Sequence, residues 1–429
     1  MPQPSEPAMK QQTEATWGEI TAIVGDGNIR PAMTADEVDG VAPVAVVEPG
    51  TAEDLAMVLA CANRTGLTVI PRGGGTKLDW GNPPRHADLV LSTARLGRVL
   101  EHAWGDMTAT VQAGCTVAQF QRTLAEHGQR LALDPLWPDR ATVGGILATN
   151  DSGALRTRYG SLRDLIIGIT LALPDGTLAK SGGKVVKNVA GYDLPKLATG
   201  SFGTLGVITE AVFRLHPLPH DTRSLGFTAS SIETLCELRD AIQDSRLAYT
   251  CLQLRVYSAG QPSLDVLFEG TRAGLDAQER QLLQLAAKAM QSHSSEGWSA
   301  REALWQGGGR KAVAKLSLLP TDLSGFCTAL REAATEQGVM WKVTAHAIGV
   351  AQLRLEAVTE DALLAVLQRL RSHAESLGGT LVVLRCSHET KSRFDVWGHP
   401  GDSFPLFRRV KEQLDPGGIL NPGRFVGGI

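Results

Sequence analysis

A chain of 429 residues is longer than one hydrophobic core usually organises, so two or three domains are expected. Hydrophobic residues make up 43% and charged residues 20%, as in a globular protein, and a net charge of −3 excludes a nucleic-acid surface resting on general positive charge. The six cysteines (Cys61, Cys115, Cys236, Cys251, Cys327, Cys386) form no CxxC and no cluster at ligand spacing, which excludes a locally held iron–sulfur cluster and predicts reduced thiols in the cytoplasm.

In chain order, residues 1–16 are polar, lack the apolar core of a signal peptide and read as an unstructured start; a short helix over 17–24 follows. No apolar run reaches the ~18 residues of a membrane span. Membrane contact is therefore expected only peripherally, at the inner face and through a partner. A β-rich run over 41–47 is stopped by the turn Glu48-Pro49-Gly50. Thr51-Ala52-Glu53-Asp54 has capping-box spacing with Asp in place of Glu, and Leu55, Val58, Leu59 and Ala62 repeat at helical spacing until Gly66 closes the helix. A strand over 67–70 then delivers Pro71-Arg72-Gly73-Gly74-Gly75-Thr76. Three glycines strip every Cβ from the turn, so backbone N–H groups can face one point, as a phosphate requires. No Gly-Lys-Ser/Thr and no GxGxxG accompanies them, and by itself the loop is equally compatible with a structural turn.

Strands are predicted over 88–92 and 108–114 and a helix over 117–127. A second glycine-bearing segment runs from Pro138 to Gly153 and on through Arg158 and Arg163. Read alone, Gly144-Gly145 also suits a helix-start turn and Arg163-Asp164 a surface pair. Residues 166–173 and 178–179, joined through Asp175-Gly176, signal a hairpin. The third segment runs from Lys184 through Asn188, Gly191, Tyr192 and Asp193 to Gly203, Gly206, Val207 and Ile208. Tyr192 and Asp193 suit a buried aromatic beside a turn carboxylate. Leu215-His216-Pro217-Leu218-Pro219 then breaks the pattern.

With these three segments in this order, the chain resembles the flavoprotein family whose FAD-binding domain is shared by vanillyl-alcohol oxidase and p-cresol methylhydroxylase (PCMH). Within it, the likeness is to the FAD-binding E subunits of bacterial glycolate oxidases, over roughly residues 40–220 and the C-terminal segment. The resemblance implies an α+β fold. Its expected parts are an N-terminal extension over 1–38, a two-subdomain PCMH-type FAD-binding domain over 39–219, a cap domain with an antiparallel sheet over 220–405, and a segment over 406–429 returning to the FAD-binding domain. It makes Arg72, Gly73, Gly74, Gly75, Thr76 and Lys77 the pyrophosphate clamp. Pro138, Thr142, Gly144, Gly145, Thr149, Asn150, Ser152 and Gly153 would line pyrophosphate and ring, with Arg158 and Arg163 as anion partners. Gly203, Gly206, Val207 and Ile208 would meet the adenosine half, and Asn421, within Asp415-Pro416-Gly417-Gly418-Ile419-Leu420-Asn421-Pro422, the ring's polar edge; an Asn-Pro turn is the plain alternative there. Some relatives attach the flavin through a histidine after the glycines; Thr76 occupies that position, so FAD is expected to be dissociable.

Beyond residue 220, helices over 232–244, 277–290 and 361–377 alternate with strands over 251–257, 264–269, 311–317, 351–357 and 379–385, which predicts an antiparallel sheet of about four or five strands. Relatives that oxidise 2-hydroxy acids often carry a metal segment His-x-Gly-Asp-Gly-Asn-x-His and a later Glu-His pair. Here the nearest counterparts are His346-Ala347-Ile348-Gly349-Val350-Ala351 and Ser387-His388-Glu389, so no complete metal site is expected. Relatives also carry Trp-x-x-Arg. After Trp305 this chain has Gly308 at that spacing and its first arginine at Arg310, and residues 304–311 read as a flexible surface or partner-contacting loop. His346, His388 and Arg385 are candidates for the site; no general base is assigned. The activity implied is hydride transfer from glycolate or a similar small 2-hydroxy acid to FAD, in a complex with a second flavoprotein subunit and an iron–sulfur subunit. A non-catalytic assembly subunit and a stand-alone oxidase of another substrate are the alternatives.

Overall fold

The computed structural model describes residues 6–183, 192–286 and 291–429. Its fold is α+β, built among the described residues on three large sheets, with a two-stranded one pairing His216–Pro217 with Gln129–Arg130. The first orders strands Ile29–Pro31, Ala45–Val47, Leu89–Ser92 and Val69–Arg72, the last three parallel. Helix Ala52–Thr65 makes the crossover: Thr51 caps it by accepting from the Asp54 N–H at 3.0 Å, and Gly66 ends it at φ 74°. Its apolar stripe, Leu55, Val58, Leu59 and Ala62, is fully buried against the sheet. The N-terminal helix extends over Glu6–Val24, not merely 17–24, because the Glu, Gln, Lys and Ala of its first turns favour helix and Ile20 and Val24 anchor its end in the core.

The second sheet is antiparallel, ordered Val99–Ala103, Thr108–Gln112, Val207–Arg214, Ile166–Ala172, Leu178–Gly182. Helix Val143–Thr149 buries Val143, Ile146 and Leu147 with Ile208 and Ala211 of that sheet. This packing brings the second glycine segment against the third. Of the third segment, residues 184–191 lie outside the described residues. Tyr192 is 90% exposed rather than buried, and Asp193 caps helix Leu194–Ala198 through the Lys196 N–H at 3.1 Å.

The cap sheet has eight antiparallel strands, in the order Gln291–Ser294, Asp221–Thr228, Ser263–Gly270, Tyr249–Tyr257, Met340–His346, Val350–Ala357, Arg310–Ser317, Thr380–Arg385. Three of these exceed the predicted set. Asp221–Thr228 and Gln291–Ser294 are too polar to signal alone and are fixed by pairing with each other and with Ser263–Gly270. Met340–His346 does alternate, with Trp341, Val343 and Ala345 buried, and it pairs on both sides, with Tyr249–Tyr257 and Val350–Ala357. Helices Ile232–Gln243, Arg272–Leu285, Leu323–Gln337 and Glu360–Ser376 share one core with the sheet. Along Arg310–Ser317, Ala312, Ala314 and Leu316 join that core, while Val313 and Lys315 face the other way, as a pleated strand dictates.

Two ties close the cap onto the first domain. The chain's end returns as a strap on the edge strand: the Val69 N–H donates to the Ile419 carbonyl at 2.8 Å, and the Asn421 N–H to the Val69 carbonyl at 3.0 Å. The Lys391 ammonium, fully buried, donates to the Asp39 carboxylate at 2.6 Å and to the Asp79 and Gly81 carbonyls at 2.7 and 2.8 Å. Removing one partner of a buried, bonded pair strands the other's charge. Lys391→Met is therefore expected to lower the unfolding free energy by about 3 kcal/mol, measured as a shift in the urea midpoint at unchanged slope.

Candidate cofactor and substrate site

The three glycine-bearing segments meet. A narrow cleft of two compartments, each ≈ 70 Å³, is lined in one part by Arg72, Gly73, Gly74, Gly75, Thr76, Lys77, Thr142, Gly145, Thr149 and Asn421. The other part is lined by Gly144, Gly203, Gly206, Val207 and Ile208 as well. The cleft adjoins, across the shared walls Thr149 and Phe202, a cavity of ≈ 240 Å³ that Asn150 and Ser152 also line. Local rules set each piece. Thr142 caps its helix, its Oγ1 accepting from the Gly145 N–H at 3.3 Å. Asn150 ends that helix in the left-handed region at φ 47°.

Two glycines are demanded by close approach rather than by φ. A Cβ on Gly73 would strike the Thr142 hydroxyl, and one on Gly74 the Arg140 carbonyl oxygen. No described backbone carbonyl takes the N–H groups of residues 73–76, so these donors remain for a ligand. Arg72 sits beneath the loop, its Nη1 2.7 Å from Asp36 Oδ1. Arg30 pairs with the same carboxylate at 2.6 Å, and the two guanidiniums, Arg30 foremost, hold it well below the usual carboxylate range. Arg72 is thus held by the scaffold beneath the loop, which leaves the loop's backbone N–H groups as donors for an anion.

The larger cavity is electrostatically different. Arg156, Arg301, Lys315 and His346 line it, with Asp151. Asp151 is bound by Arg301 and, at 3.2 Å, by Lys77, and accepts the Leu136 N–H at 3.0 Å. Burial opposes its ionisation, but Arg301 and Lys77 outweigh that and keep its pKa low. Burial, with Arg156 and Arg301 adding to it, pushes Lys315 down to about 8. Burial, then Arg301 and Arg156, push His346 down to about 3, so the imidazole is neutral. Four buried polar atoms of residues lining this cavity lack partners among the described residues: Trp80 Nε1, Asn150 Oδ1, Ser152 Oγ and His346 Nδ1. Among the described residues, no three His, Cys, Asp or Glu side chains gather as metal ligands would.

Some expected site residues lie elsewhere. Pro138 lines a separate cleft and offers its carbonyl to the Ala118 N–H at 2.9 Å. Gly153 is pulled aside by Asp134, which accepts its N–H at 3.1 Å. Arg158 reaches the Ala248 carbonyl of the cap at 3.5 Å, and Arg163 borders a surface groove beside Leu197 and Phe407. The arginine that does enter the cavity, Arg156, is two residues earlier on the same short helix. Lys77 stays at the cleft, but its ammonium turns to Asp151 and lies 5.6 and 5.5 Å from the Trp80 and Trp137 rings. His388 is exposed, at the start of a helix that Ser387 caps. Arg385 pairs with Asp79 and lies 4.9 Å from the Trp305 ring. Trp305 is no mobile loop residue: it is buried and stacks on Trp80 at 5.1 Å. Asn421 lines the cleft, its Nδ2 donating to the Phe202 carbonyl. Sequence reasoning missed Arg156, Arg301, Lys315 and Gln352, which sit on unrelated elements with no motif between them.

Residues 43–182 match the family described as "FAD binding domain", and residues 399–425 that described as "FAD linked oxidases, C-terminal domain". These two regions carry an FAD-binding domain and a C-terminal segment of the FAD-linked-oxidase type, and the cofactor is FAD. It is 31% identical over 241 residues to the glycolate oxidase subunit GlcD of Bacillus subtilis, covering 56% of this chain and half the length of that one. To the D-lactate dehydrogenase of Archaeoglobus fulgidus it is 28% identical, over 89% of this chain and 91% of that one. The solved structure of p-cresol methylhydroxylase with substrate bound superposes with a TM-score of 0.76 at 16% identity, over 96% of each chain, a likeness of fold. No helix among the described residues is long and apolar enough to cross a membrane.

The residues fit FAD: a cleft whose close approaches exclude any Cβ, free backbone donors for the pyrophosphate, and unpartnered Asn150 and Ser152 atoms beside the larger cavity. Gly74→Ala should weaken FAD binding by about tenfold or more, read from the flavin absorbance kept after dialysis. With Thr76 next to the glycines, all flavin should leave the protein on denaturing electrophoresis.

Proposed function

We propose that this chain oxidises a 2-hydroxy acid, with FAD as the electron acceptor. One observation carries the reading: the larger cavity presents Arg156, Arg301 and Lys315 against one lining carboxylate, Asp151, which Arg301 and Lys77 already occupy. A net positive, partly dry cavity suits a small carboxylate. The names of the relatives, a glycolate oxidase subunit and a D-lactate dehydrogenase, support the same class.

When bound, FAD supplies a two-electron acceptor for the hydroxyl-bearing carbon. Lys315 and Arg156, neither with a carboxylate partner within ion-pair distance among the described residues, hold the substrate carboxylate. Arg301 is fixed by Asp151 and by the Asp134 carbonyl at 3.1 Å, and keeps the wall rigid. Neutral His346 accepts the hydrogen bond of the substrate hydroxyl. Burial foremost, then Arg301 and Arg156, depress its basicity; a bound carboxylate offsets the arginines' share, and His346 stands where it can take the proton as the carbonyl forms. The second flavoprotein subunit and iron–sulfur subunit expected from the resemblance belong to this reading as electron carriers downstream.

Anaerobic mixing of the FAD-loaded chain with 2-hydroxy acids tests it: bleaching of the flavin band without any partner supports catalysis by this chain. Bleaching seen only after a second flavoprotein subunit is added would point instead to an assembly role. Lys315→Met should raise KM about 10- to 100-fold, as loss of a charged hydrogen bond does, and leave FAD content unchanged. Because Lys315 binds carboxylate only when protonated, and is pushed down to about 8, kcat/KM should fall as pH rises above about 8. Lys315→Arg should abolish that limb.

A further inference from the structure

The two arginines of the ≈ 240 Å³ cavity are held in different ways. Arg301 is fixed through its own guanidinium, by the Asp151 carboxylate and, at 3.1 Å, by the Asp134 carbonyl. The Arg156 side chain makes no hydrogen bond or ion pair among the described residues, so its backbone alone decides where its charge stands. That backbone is the four-residue helix Arg156–Tyr159, too short to be held by its own hydrogen bonds.

Two contacts hold it. Before the helix, the Asp134 carboxylate accepts the N–H groups of Gly153, Ala154 and Leu155 at 3.1, 2.7 and 3.2 Å. A Cβ on Gly153 would strike that carboxylate. At the end of the helix, the Tyr159 hydroxyl donates to Glu269 Oε2 at 2.6 Å, and Arg130 Nη2 joins the same oxygen at 2.7 Å. Glu269 stands on the strand Ser263–Gly270, so the cap grips the helix that carries Arg156. We infer that Asp134 is a positioning residue of the substrate site, acting through Arg156, with the Tyr159–Glu269 contact as the second anchor. The inference rests on the 2-hydroxy-acid reading, in which Arg156 holds the substrate carboxylate.

Ionised, Asp134 accepts all three N–H groups; protonated, it turns a hydroxyl proton toward them and loses part of its hold. Arg301, Arg156 and Cys251 lie within its field, and Arg122, Glu302 and His346 line the same cleft. Burial pushes Asp134 up to about 6, against Arg301 and the backbone N–H groups, whereas His346 is pushed down to about 3. An acid limb near pH 6 is therefore its signature. A carboxyl whose pKa is raised by folding binds its proton more tightly in the native chain, so protonation of this group does not unfold it.

The test follows flavin bleaching without air in the FAD-loaded chain, against the concentration of glycolate, lactate or 2-hydroxyglutarate, whichever bleaches fastest. Asp134→Asn keeps the carbonyl that Arg301 uses. It should raise the half-saturating concentration about tenfold, change the limiting rate far less, leave FAD content unchanged and remove the limb near pH 6. Added to Arg156→Met, which also raises that concentration, it should have no further effect, because the two act as one unit. A full tenfold effect of Asp134→Asn persisting in Arg156→Met overturns the inference and leaves the 2-hydroxy-acid reading standing. So does a limb near pH 6 that survives Asp134→Asn, or an Arg156→Met chain that saturates as the unaltered one does. Bleaching by none of the acids overturns both. Should Asp134→Asn fail to fold, Tyr159→Phe decides: weaker saturation that disappears in the Arg156→Met background supports the inference, and unchanged saturation overturns it.

Discussion

The close approach of the glycine loop to the segment before the Val143–Thr149 helix is the constraint from which the rest follows. Gly73 and Gly74 press so closely on Thr142 and the Arg140 carbonyl that neither position has room for one more carbon. That contact joins the parallel sheet to the antiparallel one and leaves the N–H groups of residues 73–76 facing a common cleft. The strap from Ile419 to Asn421 holds the edge strand that delivers the loop. Buried Arg424 reinforces it, donating to the Trp80 carbonyl at 2.9 Å and to the Leu78 carbonyl.

Charge is distributed between cleft and cavity in a way that separates their tasks. At the cleft, Arg72 shares the Asp36 carboxylate with Arg30 and is held beneath the loop, so oriented peptide dipoles are what the loop presents to an anion. At the cavity, cations outnumber carboxylates, and burial raises the cost of leaving them unpaired, as the depressed Lys315 and His346 show. A ligand carboxylate relieves that cost. Three tryptophans, Trp80, Trp137 and Trp305, wall off Lys77 and Arg385 at the domain junction, so the cap and the first domain share one rigid aromatic seam.

Much of this was legible in the chain before its structure. The cap at Thr51, the stop at Gly66 and the hairpin around Asp175-Gly176 are local events, settled by hydrogen bonds and φ preferences within a few residues. Glycines spaced along the chain announced the cleft for the same reason: a missing Cβ is a local property even when its partner is remote. Polar strands such as Asp221–Thr228, by contrast, exist only because neighbouring strands take their hydrogen bonds, and no periodicity records that.

The sequence by itself determined the β-α-β unit, the three Cβ-free turns and the likeness they carry, because each depends on neighbours in the chain. Only the tertiary structure decided which charges face the cavity. Arg156 rather than Arg158 enters the cavity, and Arg301, Lys315 and His346 arrive from a short helix and two strands of the cap sheet. Their meeting is set by strand register and by burial, which act between segments far apart in the chain and leave no mark on the residues immediately around each side chain.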